Sequence, residues 1–321
     1  MAVMRAVLLA ASQNRWLREH ASRYGFVKRS VSRFMPGERL EDAIAAAREL
    51  KKQKIESVLT HLGENVSDAA EAEQVAAHYL LVLEKLRSER LQTEISVKPT
   101  QLGLDLSREL CERNLRRLFA AEDHSKTLWI DMESSGYVDA TIDIYRKLLG
   151  DYPNAGLCLQ AYLHRTASDI EALLYMKPSI RLVKGAYAEA PRVAIQEKTT
   201  IDANYFALAQ TLLHAQASGT IPRVAFATHD AKLIRGITDF AAAESISRRE
   251  VEVQMLYGIQ RMEQLRLASG GWRSGVLIAY GKYWYAWFLR RLAERPANIW
   301  LLFRNLTGNG DELPDGVSES E

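Results

Sequence analysis

Eight short apolar runs, each followed by a helical pattern, predict an α/β protein: a (β/α)8 TIM-type barrel with an N-terminal helical extension. Two further observations point the same way. The alternation runs from residue 55 to about residue 304, close to the roughly 250 residues such a barrel needs. Nearly every apolar run also ends in a polar side chain, and in a barrel the C-terminal ends of the strands carry the chemistry.

The elements follow in order. Met4 to Tyr24 has apolar residues at helical spacing, Pro36-Gly37-Glu38 closes a basic segment, and Glu41 to Lys54 is an alanine-rich helix. These make an N-terminal helical segment, 1–54. Ile55–His61 is the first strand, with a helix over Asp68–Glu89. Glu94–Lys98, stopped by Pro99, is the second, with a helix near Ser107–Ala120. Thr127–Asp131 is followed by Val138–Leu149, Leu157–Ala161 by Ala167–Tyr175, and Ile180–Lys184 by a loop and then Asp202–Ser218. Arg223–Thr228 is followed by Asp230–Phe240, Glu252–Leu256 by Gln260–Ala268, and Gly275–Ala279 by a last helix carrying Arg290, Arg291 and Glu294. The barrel is thus expected over 55–306. Residues 307–321, rich in Gly, Asp, Glu and Ser, read as a disordered acidic tail.

Composition narrows the function. The 321 residues are 47% hydrophobic and 26% charged, with a net charge of +2 spread along the chain. A nucleic-acid protein would concentrate its positive charge, so none is expected as a partner. Two distant cysteines, Cys111 and Cys158, exclude a zinc ribbon or a disulfide scaffold and fit a reducing compartment. No stretch has the roughly 18 apolar residues of a spanning helix. The run Ala6–Ala11 is shorter than a secretory signal core, so the expected location is cytoplasmic, with peripheral membrane contact compatible with the composition.

The strand ends offer His61, Lys98, Asp131 with Glu133, Gln160, Arg181 with Lys184, Thr228-His229-Asp230 and Gln254. Each also has a plain reading. Lys98 could protect an edge, Asp131 could cap a helix, and the Arg290–Arg291 pair could be a solvated face. Gln160 is different, because a polar side chain inside an apolar strand is costly without a partner. Arg181 on a buried strand would need an anion or polar ligand. Glu294, four residues past Arg290 and three past Arg291, can hold both guanidinium groups, and two planar forks suit a carboxylate ligand. His61 and His229 lie on distant strands without an H-x-H pair, which is a weak metal signal. Neither a dinucleotide fingerprint nor a Walker sequence is present. Lys184-Gly185-Ala186 is a small-residue bend that can offer backbone N–H groups beside a positive charge.

Four ordered motifs then carry a resemblance: Arg181-Leu-Val-Lys-Gly-Ala-Tyr187, Ala227-Thr-His-Asp230, Gln254-Met-Leu-Tyr-Gly258 and Arg290-Arg-Leu-Ala-Glu-Arg-Pro296. From about Arg33 to Phe303 the chain resembles the proline dehydrogenase family, in its short monofunctional bacterial form. Leu59-Thr-His-Leu-Gly-Glu64 and Ile201-Asp-Ala-Asn-Tyr205 belong to the match. The resemblance implies FAD held at the barrel mouth, hydride transfer from proline C5 to flavin N5, and a quinone as the electron acceptor. Met132 and Gln160 would contact the isoalloxazine, and Arg181 would lie beside N5. Lys184, Gly185 and Ala186 would take the pyrophosphate region, and Thr228 with His229 further cofactor atoms. Lys98, Arg290 and Arg291 would bind the substrate carboxylate, Glu294 would orient the arginines, and Asp131 would be the active-site aspartate. No metal is implied.

Two departures stand out. Leu277, thirteen residues before Arg290, replaces the family's usual tyrosine, which leaves 4-hydroxyproline and other cyclic amino acids open as substrates. Asp230 stands where asparagine is more usual, and an extra negative charge near a phosphate-bearing cofactor is unfavourable unless it points elsewhere. A metal-dependent barrel hydrolase using His61, Asp131 and His229, and a barrel that only binds, remain as other readings. The oligomeric state is not legible in one chain.

Overall fold

The computed structural model describes residues 31–63, 66–122, 124–285 and 287–289. Phe34–Lys282 form one compact unit. In it eight parallel strands close into a barrel in sequence order: β1 (Glu56–His61), β2 (Thr93–Val97), β3 (Leu128–Ile130), β4 (Ala155–Gln160), β5 (Ser179–Val183), β6 (Arg223–Ala227), β7 (Glu252–Leu256) and β8 (Arg273–Tyr280). The ring shuts along a β1–β8 ladder from Glu56 opposite Gly275 to His61 opposite Tyr280. Helix α1 (Leu40–Lys52) precedes the barrel. Helices α2 (Ala69–Ser88), α3 (Arg108–Ala121), α4 (Val138–Asp151), α5 (Thr166–Leu174), α6 (Lys198–Ala217), α7 (Ala231–Ala243) and α8 (Arg261–Ser269) follow β1 to β7 in turn. In the second unit, residues 284, 285 and 287–289 are helical.

The helices start where the local chemistry starts them. Asp68 accepts from the Glu71 amide (2.8 Å) at the head of α2, Ser107 from Leu110 (3.2 Å) at α3, and Asp230 from Lys232 (3.1 Å) at α7. Helix α1, expected within the N-terminal segment, buries Ala43, Ile44, Ala47 and Leu50 in the same core as the barrel strands and outer helices. Cys111 and Cys158 are free and buried.

Strand faces alternate between helices and barrel interior. Leu128 and Ile130 join the outer core, whereas Trp129 turns inward with Val58, Ala225 and Leu277. Below this layer, at the N-terminal end, strand-leading residues form an ion network. Arg223 bonds both oxygens of Glu252 (2.8 and 2.8 Å) and reaches Glu94 Oε2 (3.2 Å); Arg273 bonds Glu56 (2.8 and 3.0 Å) and lies 3.0 Å from Glu252. This network explains why β8 begins at Arg273 rather than at Gly275, where the apolar run starts. Charge pairs thus fill the N-terminal end of the barrel.

Candidate active site

The alternation in β2 that points Glu94 inward also points Ser96 and Lys98 inward, with Lys98 just past the strand at the mouth. There Lys98 Nζ lies 2.8 Å from Asp131 Oδ2. Arg181, from β5 across the barrel, donates through Nη1 to Asp131 Oδ1 (3.2 Å) and to Ser96 Oγ (2.8 Å), and Ser96 in turn donates to Asp131 Oδ1 (2.7 Å). The Arg181 guanidinium lies over the Trp129 ring, 4.4 Å from its centroid. One carboxylate thus gathers two cations from opposite strands. Asp131 caps no helix: α4 starts beyond it, after a short turn over Ser135–Tyr137.

The electrostatics keep this group charged. Burial would raise the Asp131 carboxyl, but Lys98 and Arg181 together hold it below the usual carboxylate range. Burial would likewise lower the Lys98 ammonium, yet Asp131 raises it above its ordinary value, with Glu133 adding to the effect. An aspartate held down in this way is a poor general base near neutral pH and a good positioning group. Glu133 ties the next turn in place, accepting from the Thr100 amide (2.9 Å) and hydroxyl (2.7 Å) and so linking the ends of β2 and β3.

Two polar groups at this mouth are left wanting partners. Arg181 is 3% exposed, and its Nε and Nη2 have no hydrogen-bond partner among the described residues. Gln160 donates weakly to the Met132 carbonyl (3.4 Å), and its Oε1 is buried without a partner. Buried polar atoms of this kind are costly unless something supplies the missing bond. A buried guanidinium edge and an amide oxygen fit the polar edge of a planar heteroaromatic group.

Other expected residues lie at the rim. Gly185 has φ +112°, and a Cβ there would sit 2.1 Å from Tyr162 Cδ1, so only glycine makes this bend. Lys184 binds Asp202 and Asp230 (2.9 Å to the latter). The extra negative charge of Asp230 is therefore compensated by Lys184 while its other oxygen caps α7. Thr228 Oγ1 accepts from the Asp230 amide (3.1 Å), and His229 Nε2 accepts from the Leu256 amide (2.9 Å). His61 does not face the mouth. Its ring packs toward α2 against His78 (4.4 Å) and against Tyr280 (5.3 Å), and burial, followed by His78, pulls it down to about 4. His61, Asp131 and His229 each have separate surroundings, and among the described residues no group of three or more His, Cys, Asp and Glu is placed to hold an ion. Gln254 bonds Glu252 (2.6 Å) and so belongs to the lower network rather than to the mouth.

Arg290, Arg291 and Glu294 lie outside the described residues. The sequence reading missed Ser96 and Trp129. Ser96 was findable, since it shares the inward face of β2 with Lys98 two residues away. Trp129 carried no signal beyond an apolar run.

A family profile described as "Proline dehydrogenase" matches residues 43–299. The chain is 35% identical over 306 residues to Proline dehydrogenase 1 of Bacillus subtilis, covering 95% of this chain and 99% of that one. It is 36% identical over 274 residues to the Proline dehydrogenase of Deinococcus radiodurans, covering 84% and 87%. In fold it is similar to proline utilization A from Bdellovibrio bacteriovorus, with a TM-score of 0.79 at 23% identity, over 97% of this chain and 38% of that one. With a closed eight-stranded barrel whose mouth gathers Lys98, Asp131 and Arg181, and with matches over most of its length, the chain belongs to the proline dehydrogenase family.

Proposed function

We propose that the chain oxidises proline to 1-pyrroline-5-carboxylate with FAD held at the C-terminal mouth, and that the electrons pass on to a quinone. The observation that carries this reading is the orphaned, buried edge of Arg181 on β5, together with the buried, partnerless oxygen of Gln160 at the end of the neighbouring β4. Gly185, whose bend leaves no room for a side chain, lets backbone approach a ligand at the rim. Bound flavin supplies the hydride acceptor.

The residues of the chain position and select. Lys98 has three donors and spends one on Asp131, which leaves others for a substrate carboxylate. Asp131 fixes both Lys98 and Arg181 while staying ionised, so the cations keep their places as substrate enters. In this reading Arg290 and Arg291 complete the carboxylate clamp, Glu294 orients them, and Met132, Lys184, Ala186, Thr228 and His229 face the cofactor. Holding the ring over the acceptor is catalysis by positioning. The substrate nitrogen enters as the neutral amine; loss of hydride from C5 leaves a cyclic iminium, which releases its N–H proton to solvent to give the cyclic imine product.

Leu277 supports a second substrate reading. It lines the interior against Val58, Trp129 and Ala225, and a leucine where the family carries a tyrosine leaves room on that side for a substituted ring, so 4-hydroxyproline or another cyclic amino acid is the second candidate substrate. Anaerobic titration of the FAD-loaded protein with proline, hydroxyproline and larger cyclic analogues tests both readings. Bleaching of the flavin band by proline is expected. Bleaching by a substituted ring alone would replace proline as substrate, and no bleaching by any of them would overturn the dehydrogenase chemistry. Arg290→Ala and Arg291→Ala are each expected to raise the half-saturating concentration by on the order of tenfold or more, from loss of charge-assisted bonds.

Among the described residues no helix is long and apolar enough to cross a membrane. In this proposal the quinone is reached by peripheral contact at the inner membrane surface.

A further inference from the structure

The loop between β5 and α6, residues 184–197, is too long for a simple connection and has no regular element of its own. Its far half is tied to the loop after β4. Ala194 pairs with Leu163, the Ile195 amide donates to the Tyr162 carbonyl (2.8 Å), and the His164 amide donates to the Val193 carbonyl (3.1 Å). At the middle of the loop stands Glu189, which reaches past β4 to the loop after β3. One carboxylate oxygen accepts the Ser135 amide (2.7 Å) and the other accepts the Ser135 hydroxyl (2.6 Å). Gln196 steadies this point from within the loop, donating to the carbonyls of Glu189 (3.2 Å) and Ala194 (2.7 Å).

The placement gives the contact a role. Ser135 opens the turn four residues after Asp131, and Glu189 lies four residues after Gly185. The pair therefore joins the two mouth loops that flank β4, whose last residue, Gln160, carries an orphaned buried oxygen. Both oxygens of an ionised side chain on one residue make a stronger tie than a lone neutral bond. We propose that Glu189 is a positioning residue, clasping the β5 loop to Ser135 so that the mouth closes over the bound cofactor and retains it. This rests on the flavin reading above.

The experiment uses the full chain loaded with FAD and follows recovery of free-flavin fluorescence after dilution. Glu189→Ala is expected to release FAD on the order of tenfold faster, with Glu189→Gln restoring most of the retention through its remaining acceptor. Ser135→Ala is expected to speed release less, because its backbone amide remains, and to add nothing once Glu189 is alanine. Thermal melting of the apoproteins is expected to be alike, which separates retention from folding. Release rates within twofold of wild type for both Glu189 variants, or additive effects of Ser135→Ala and Glu189→Ala, would overturn the clasp while leaving the flavin reading intact. A wild-type chain that takes up no FAD would overturn both.

Discussion

At the scale of single residues, Asp131 decides most. Among the described residues it is the carboxylate that both Lys98 and Arg181 touch, and it stays ionised because they are there. Asp131→Asn is nearly isosteric but removes the charge, leaving two buried cations uncompensated. The expected result is a fall in kcat/KM of a hundredfold or more (on the order of 3 kcal/mol in the transition state), measured by steady-state kinetics with proline. Leu277→Tyr is expected to shift preference from ring-substituted analogues toward proline, read as a ratio of kcat/KM values. An unchanged ratio would remove Leu277 from substrate choice. Lys98 and Asp131 were visible as strand-end polar residues, whereas their pairing with each other was not. Two strand ends say nothing about which side chains meet until the barrel closes.

At the scale of elements, Asp230 shows one residue serving two neighbours. One oxygen caps α7 through the Lys232 amide, and the other pairs with Lys184 beyond β5. Asparagine caps a helix about as well as aspartate. Asp230→Asn is therefore expected to cost less than about 1 kcal/mol, the loss of a partly exposed ion pair, whereas Asp230→Ala should cost roughly 1 kcal/mol more by losing the cap. Chemical denaturation distinguishes the two. Equal losses would mean that the cap contributes nothing.

At the scale of the whole molecule, the two ends of the barrel divide the work. Charges at the mouth are arranged with polar atoms to spare, while charges at the base are paired among themselves. Burial alone would raise Glu252, yet Arg223 and then Arg273 bring it down to about 2 from an ordinary 4.5. A depressed folded-state value means that its stabilising contribution is full above about pH 4.5 and is lost as pH falls toward 2. Acid unfolding is expected to steepen across that window. Glu252→Gln is expected to be less stable at neutral pH and to lose less further stability on acidification. A parallel acid limb in the variant would show that other carboxylates set the transition.

By itself the sequence determined the barrel, the order of its strands, the polar character of its mouth and, through four ordered motifs, its family. Those are matters of periodicity and local spacing, which a chain carries in one dimension. It also supplied the loop 184–197 and its glutamate, without a reason to notice either. Only the tertiary structure decided that Ser96 and Trp129 belong to the site, that His61 turns away from it, that Asp230 is neutralised by Lys184, and that Glu189 reaches Ser135. Each of these depends on which residues face each other across a closed sheet. That pairing is set by barrel closure and register, over separations of tens of residues that no local pattern records.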